Sequence, residues 1–460
     1  MRIFECCLQK KLGMLRSLWR QWVTSRWMPL VLGILFCTAM FAMALLTSGK
    51  GLRQLSVTCN WRLLDSVQSW IQHGFWELGG LLSFRDTREV LTGLPEKLYQ
   101  SQSFLYLIPH YLATLLWGNS GFWVMVRVTT ISFVLLTTVA SGIIIGLIVE
   151  ERIKPEDPRW LLPVCLFGVF AATAPQEGIW GSLWNYDDRA LSAVLVSCAA
   201  AFSALAIRFS RRWLWSAGSI LLVMAALACP RMGFMLIVVL LIGSCLGMAS
   251  EWFNWKLSVW CLIAVMSHYA RVLIVDSWGL FRLKGSGPLV RLGYNHEVLK
   301  RGQSSLPYES LLDSFTFAWR QSQWMINANS HNLHLNESLL RFNIEHLCVY
   351  LLAGLGLIVL VFNSEKIKSK YRSVLFLITA PALLWTILIS QSVAEHPDIH
   401  AIVWSGSFAV GWGYLLYKIC LLIIRFAGRQ WAYFGGILAS YWLFLWQVQY
   451  FLRAYPNLRY

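Results

Sequence analysis

Three groups of residues in this chain could do chemistry together: carboxylates, arginines at the ends of apolar stretches, and one compact cluster of His, Asp and Glu. Asp65 lies in the segment from Arg62 to Leu78, and Asp187 and Asp188 close the run Trp184-Asn185-Tyr186-Asp187-Asp188-Arg189. A carboxylate so placed can take the proton from an attacking hydroxyl, or orient a substrate or a divalent cation. Arg127, Arg231 and Arg271 each fall near the end of an apolar stretch. A guanidinium there can neutralise a leaving phosphate as its charge develops, or it can simply reach along its stem to the membrane surface. The run Glu395-His396-Pro397-Asp398-Ile399-His400 offers His396 and His400 to a metal or a phosphate, and a short polar turn explains it equally well. His268, one turn before Arg271, reads either as a core histidine or as part of the same site.

The elements that must carry these groups are membrane helices. Hydrophobic residues make up 57% of the 460-residue chain and charged ones only 13%, against roughly 25% charged in a soluble domain. Eleven stretches are apolar enough to cross a bilayer, which takes about 20 residues. The first, Met28 to Thr47, carries no charge, and no small-residue cleavage site follows it, so it is expected to remain as a span. The others run roughly 120–149, 160–176, 190–207, 213–229, 232–250, 257–275, 347–362, 373–391, 401–424 and 430–451. The expected fold class is all-α: a polytopic membrane protein with two large outer loops carrying amphipathic helices. Residues 1–27 form a basic cytoplasmic segment and 28–460 a single transmembrane domain. The eleven cysteines show no metal-ligand spacing.

A net charge of +16 would suit a nucleic-acid partner, but the basic residues sit in short loops between spans, which excludes that class. They orient the chain instead. Arg2, Lys10, Lys11, Arg16, Arg20 and Arg26 hold the amino terminus in the cytoplasm. Loops on that side then carry Arg152, Lys154, Arg159, Arg208, Arg211, Arg212, Lys256, Lys366, Lys368, Lys370, Arg372, Arg425 and Arg429, whereas short outer loops carry only Arg189 and Arg231. An odd number of spans leaves the carboxyl terminus outside. The expected location is the cell inner membrane, with the long loops in the periplasm.

Two of those loops are long enough to build a site: about 48–119 and 276–346. In the first, Leu63, Leu64, Val67, Trp70, Ile71, Phe75 and Leu78 recur with helical period, and Asp65, Ser69, Gln72 and His73 take the opposite face. Such a helix is expected to lie on the membrane with its carboxylate facing a cleft or water. The apolar stretch from Phe104 to Trp117 is too short to span, and its Pro109 and His110 point to an interfacial or re-entrant helix. The second loop is rich in Ser, Asn, His and Arg, and reads as a solvated loop or as an acceptor-binding surface.

This layout resembles the GT-C superfamily of membrane glycosyltransferases. The likeness lies in a charged outer loop directly after the first span, with an amphipathic helix whose Asp65 stands nine positions before Gly74. It continues in Leu94-Pro95-Glu96-Lys97-Leu98-Tyr99, followed by the membrane-hugging stretch Ser103 to Trp117, and in Asp187-Asp188 at the mouth of the next span. It covers roughly residues 28–207; beyond them only the span count is similar. Many members carry an acidic pair soon after the first span, where this chain has Cys59-Asn60-Trp61.

The resemblance implies a sugar donor carried on a polyprenyl phosphate and a glycan or lipid acceptor, both met at the outer face. Asp65 would then act as the base. Asp188, or Asp187, would orient the acceptor, the donor phosphate or a divalent cation. Arg127, Arg231, Arg271, His396 and His400 would bind substrate. An O-antigen polymerase or ligase would also have large outer loops, and would rely on Arg and His more than on loop carboxylates. A transporter would place its ionisable groups near the bilayer midplane in repeated halves, and the sequence shows neither.

Overall fold

The computed structural model describes residues 60–84, 97–99, 103–150, 188–248, 252–277, 282–283, 354–360, 369–388 and 401–427. The expected spans 28–47, 160–176 and 430–451 lie outside these residues, as does most of 347–362. The chain forms helices α1 (Asn60–His73), α2 (Ile108–Glu150), α3 (Asp188–Phe209), α4 (Arg212–Ala228), α5 (Pro230–Cys245), α6 (Trp255–Ser277), α7 (Ser369–Leu388) and α8 (Ser405–Ala427). Three of them, α3, α6 and α7, contain stretches long and apolar enough to cross a membrane.

The surface of α6 shows why these helices suit lipid. Val259, Trp260, Leu262, Ile263, Met266, Leu273 and Ile274 are exposed, while Leu257, Cys261, Ala264, Val265, Tyr269 and Val272 are buried against neighbours. A soluble protein rarely leaves so continuous an apolar face open. In a bilayer that face is solvated by acyl chains.

Packing within the bundle relies on small residues. On α3, Ala190, Ala193, Ala199, Ala200, Ala201 and Ala204 are buried, which lets helix backbones approach closely. Ser192 Oγ of α3 donates to the Ala225 carbonyl of α4 at 3.0 Å, fixing their register. A side chain at Gly218 of α4 would overlap the Trp252 ring, whose Nε1 donates to the Trp215 carbonyl at 3.1 Å. The break between α4 and α5 is a single residue. Cys229 is extended (φ −133°, ψ 97°), as a residue before proline prefers, and Pro230 then opens α5 at a position where no N–H is needed.

Helix α2 is bent at Gly118, whose φ of 63° and ψ of −158° are open to glycine alone. It therefore consists of a short limb ending at 117 and a longer limb from 119 to 150. This agrees with the expected short helix ahead of Gly118, and the longer limb covers the stretch 120–149 as a helix.

The described part of the chain is helical in its bulk, as an all-α membrane protein should be, with one small addition that the all-α expectation did not include. Strands β1 (Leu82–Phe84), β2 (Lys97–Tyr99) and β3 (Arg282–Leu283) form a small sheet in the order β1-β2-β3. β1 and β2 are antiparallel, with Leu82 opposite Tyr99; β2 and β3 are parallel, with Lys97 opposite Arg282. The strands come from both expected long loops, so the loops are hydrogen-bonded to each other just past the end of α6. Periodicity could not show this, because strands of two or three residues carry no pattern.

The amphipathic helix of the first loop is present but shorter than expected. α1 ends at His73, because Gly74 takes φ +91° and turns the chain. Leu63, Leu64, Val67 and Trp70 face the core as expected, whereas Ile71, expected on the same face, is exposed. Ser69 does not share the polar face; it is fully buried, and Asp65 is half-buried.

Candidate functional site

One end of the bundle gathers most of the described candidate residues. The Ser192–Ala225 hydrogen bond sets the start of α3 beside the α4–α5 turn. The rings of Phe234 and Tyr269, with centroids 6.1 Å apart, set the start of α5 beside the last turns of α6. Asp188, Arg231 and Arg271 therefore share this end, and the opposite end of α3 carries Arg208. The turn Leu105–Leu107 packs onto α3, α4 and α2 here, and α1 is tied to the bend of α2 by Gln68 Nε2 donating to Asn119 Oδ1 at 3.1 Å.

Arg271 is the best defined member. Its Nη2 lies 2.8 Å from His268 Nδ1, one turn earlier on α6, and its Cζ sits 4.4 Å from the centre of the Phe104 ring. A cation over an aromatic face contributes about 0.5–2 kcal/mol. Nη1 comes within 3.2 Å of where a Cβ on Gly80 would stand. Gly80 has φ +63°, so glycine is required there both for the turn and for the approach of the arginine. Nε and Nη1 are enclosed and have no hydrogen-bond partner. Desolvating a cation without full pairing costs several kcal/mol. An anion arriving at those nitrogens would recover that cost.

The wall beside Arg271 is aromatic and rigid. Phe75 packs edge-on against Trp70 (5.1 Å between centroids) and Phe104 (5.6 Å), and lies 5.7 Å from Tyr111. Trp70 Nε1 donates to the Leu81 carbonyl at 2.7 Å, which pins the Gly79–Gly80 turn to α1. His110, buried in the short limb of α2 and 5.3 Å from the Phe122 ring, is pushed down to about 3 by burial. It is neutral and serves as core.

Arg231 is the second residue of α5, with Nη2 enclosed and without a partner. A cation at a helix amino terminus opposes the helix dipole, which again favours a bound anion nearby. Asp188 is 3% exposed and occupies the first turn of α3, where the dipole stabilises a carboxylate. Asp65 stands on α1, half-buried, at the same end.

No protein-family model matches this chain, and no curated protein matches it in sequence. The site must therefore be read from its own geometry.

Among the expected site residues, Asp65, Asp188, Arg231 and Arg271 are thus brought to one end. Arg127 lies on the long limb of α2, with its side chain outside the described residues, as are Asp187, His396 and His400. Among the described residues, no three His, Cys, Asp or Glu side chains are placed to hold a metal. Sequence reading missed Phe75, Phe104 and Gly80 as walls around Arg271. The aromatic residues looked like ordinary apolar positions of amphipathic helices, and only the Gly79-Gly80 pair marked a turn.

Proposed function

We propose that this chain is a polytopic inner-membrane glycosyltransferase of the GT-C type, with eleven spans and a cytoplasmic amino terminus. It transfers a sugar from a polyprenyl-phosphate donor to a glycan or lipid acceptor at the periplasmic face. The observation that carries the reading is the gathering of Asp65, Asp188, Arg231 and Arg271 at one end of the apolar helices, with enclosed guanidinium nitrogens left unpaired. In this reading Asp65 takes the acceptor proton as the glycosidic bond forms. Asp188 orients the acceptor or a divalent cation. Arg271 and Arg231 meet the donor phosphate and stabilise it as it leaves. The apolar flank of α6 faces the acyl region through which a polyprenyl chain would approach.

A polymerase or ligase of lipid-linked polysaccharide is the second reading, and the Arg271–His268 pair supports it, because such enzymes would rely on Arg and His more than on carboxylates. The test is reconstitution of the full chain in liposomes with a polyprenyl-phosphate sugar and an acceptor mixture. Release of free polyprenyl phosphate that depends on Asp65 supports the glycosyltransferase. Release that survives Asp65→Asn and is lost with Arg271→Gln favours the second reading. No release with any donor sugar removes both.

A further inference from the structure

Arginine carries only N–H donors, so the 2.8 Å contact between Arg271 Nη2 and His268 Nδ1 has one chemical solution: Nη2 donates and Nδ1 accepts. His268 is then neutral, with its proton on Nε2. Its ring is held by packing, being 2% exposed and edge-on to Tyr269 at 5.3 Å, and Tyr269 in turn lies against Phe234. Phe104 covers one face of the guanidinium, and the lack of a side chain at Gly80 lets the turn come close to Nη1. A long arginine side chain near a membrane surface otherwise reaches freely toward water. Here one nitrogen is fastened, and Nε and Nη1 are the donors left over.

We propose that His268 is a positioning residue, whose Nδ1 fastens Arg271 so that the Nε and Nη1 donors face the phosphate of the lipid-linked donor. This rests on the function proposed above. The role asks for an acceptor at the Nδ1 position and not merely for a ring of that volume. In the variant His268→Asn the amide Oδ1 comes near that position. In His268→Gln the side chain is closer to histidine in size, but its amide oxygen sits one methylene further out.

The full chain in nanodiscs is titrated with farnesyl phosphate by calorimetry, with the thermal midpoint recorded for every variant. Arg271→Gln should weaken binding at least about tenfold, as loss of a charge-assisted contact does. His268→Gln should weaken it about as much, while His268→Asn stays within about threefold of the unaltered chain. In transfer assays the His268→Gln defect should appear in the donor KM and leave kcat nearly unchanged. A purely structural histidine would give the reverse order, with Gln tolerated better than Asn. That order, or equal binding by His268→Gln and the unaltered chain, would overturn the positioning role while leaving the Arg271 effect in place. Farnesyl phosphate binding that is absent, or unaffected by Arg271→Gln, would instead remove the phosphate reading and the positioning role together.

Discussion

Along the helices, Ser197, Thr379 and Thr386 each donate to a carbonyl one turn earlier, at 2.9, 2.7 and 3.0 Å, whereas at the Asp188 end Arg271 Nε and Nη1 and Arg231 Nη2 have no hydrogen-bond partner. The bundle also closes hydroxyls across helices: Ser407 Oγ donates to the Ile378 carbonyl at 2.9 Å, and Trp404 Nε1 to Thr386 Oγ1 at 2.9 Å. Ser141 and Ser258 break that pattern, their hydroxyls being enclosed and unpartnered. The scale of the cost separates the two cases. An unpaired buried hydroxyl costs about 1–3 kcal/mol and an unpaired cation considerably more. The hydroxyl contacts of the bundle are finished without a ligand; the two arginines are enclosed in a way that a bound anion completes.

The strongest way to break this comparison is Asp65→Asn. The amide keeps the shape and loses the proton acceptor, so transfer should fall about 10²–10⁴-fold while donor binding survives. Transfer rate and donor binding measured on the same preparation check it. Arg271→Gln comes next. Removing a charged hydrogen-bond donor costs about 1.5–3 kcal/mol, so donor affinity should drop by about 10- to 150-fold with the protein still inserted. Arg231→Gln should cost less, about tenfold, since its enclosed nitrogen is one against two in Arg271. Full transfer by both arginine variants at limiting donor would make them snorkelling anchors. The smallest effect belongs to these hydroxyl contacts. Ser192→Ala loses one hydrogen bond between α3 and α4, which should lower stability by about 1 kcal/mol and leave transfer unchanged. A thermal unfolding scan beside the transfer assay reads both.

Much of this division was legible in the sequence, because helices declare themselves through long apolar runs. The expected spans 190–207 and 257–275 fall on α3 and α6, and the break between α4 and α5 falls between the expected spans 213–229 and 232–250. The amphipathic face of α1 was legible for the same reason, apart from Ile71, which is exposed, and Ser69, whose small hydroxyl fits a buried position that polarity alone argues against. The site was legible only in part. Asp188 and Arg231 stood out as charges at span ends, but the meeting of Gly80, Phe104 and Arg271 joins residues far apart in the chain. Such contacts depend on helix packing and on a sheet of very short strands linking the two long loops. Neither leaves a local period to read.

The central claim is that the end holding the enclosed, unpaired guanidinium nitrogens serves a lipid-phosphate sugar donor through Asp65. It is tested most directly by mass spectrometry of lipid-linked sugars and surface glycans in cells that carry the intact chain, Asp65→Asn, or none. One polyprenyl-phosphate sugar should accumulate, and one surface glycan lose a residue, alike in the Asp65→Asn and empty cells. Identical lipid-linked sugars and glycans in all three would contradict it.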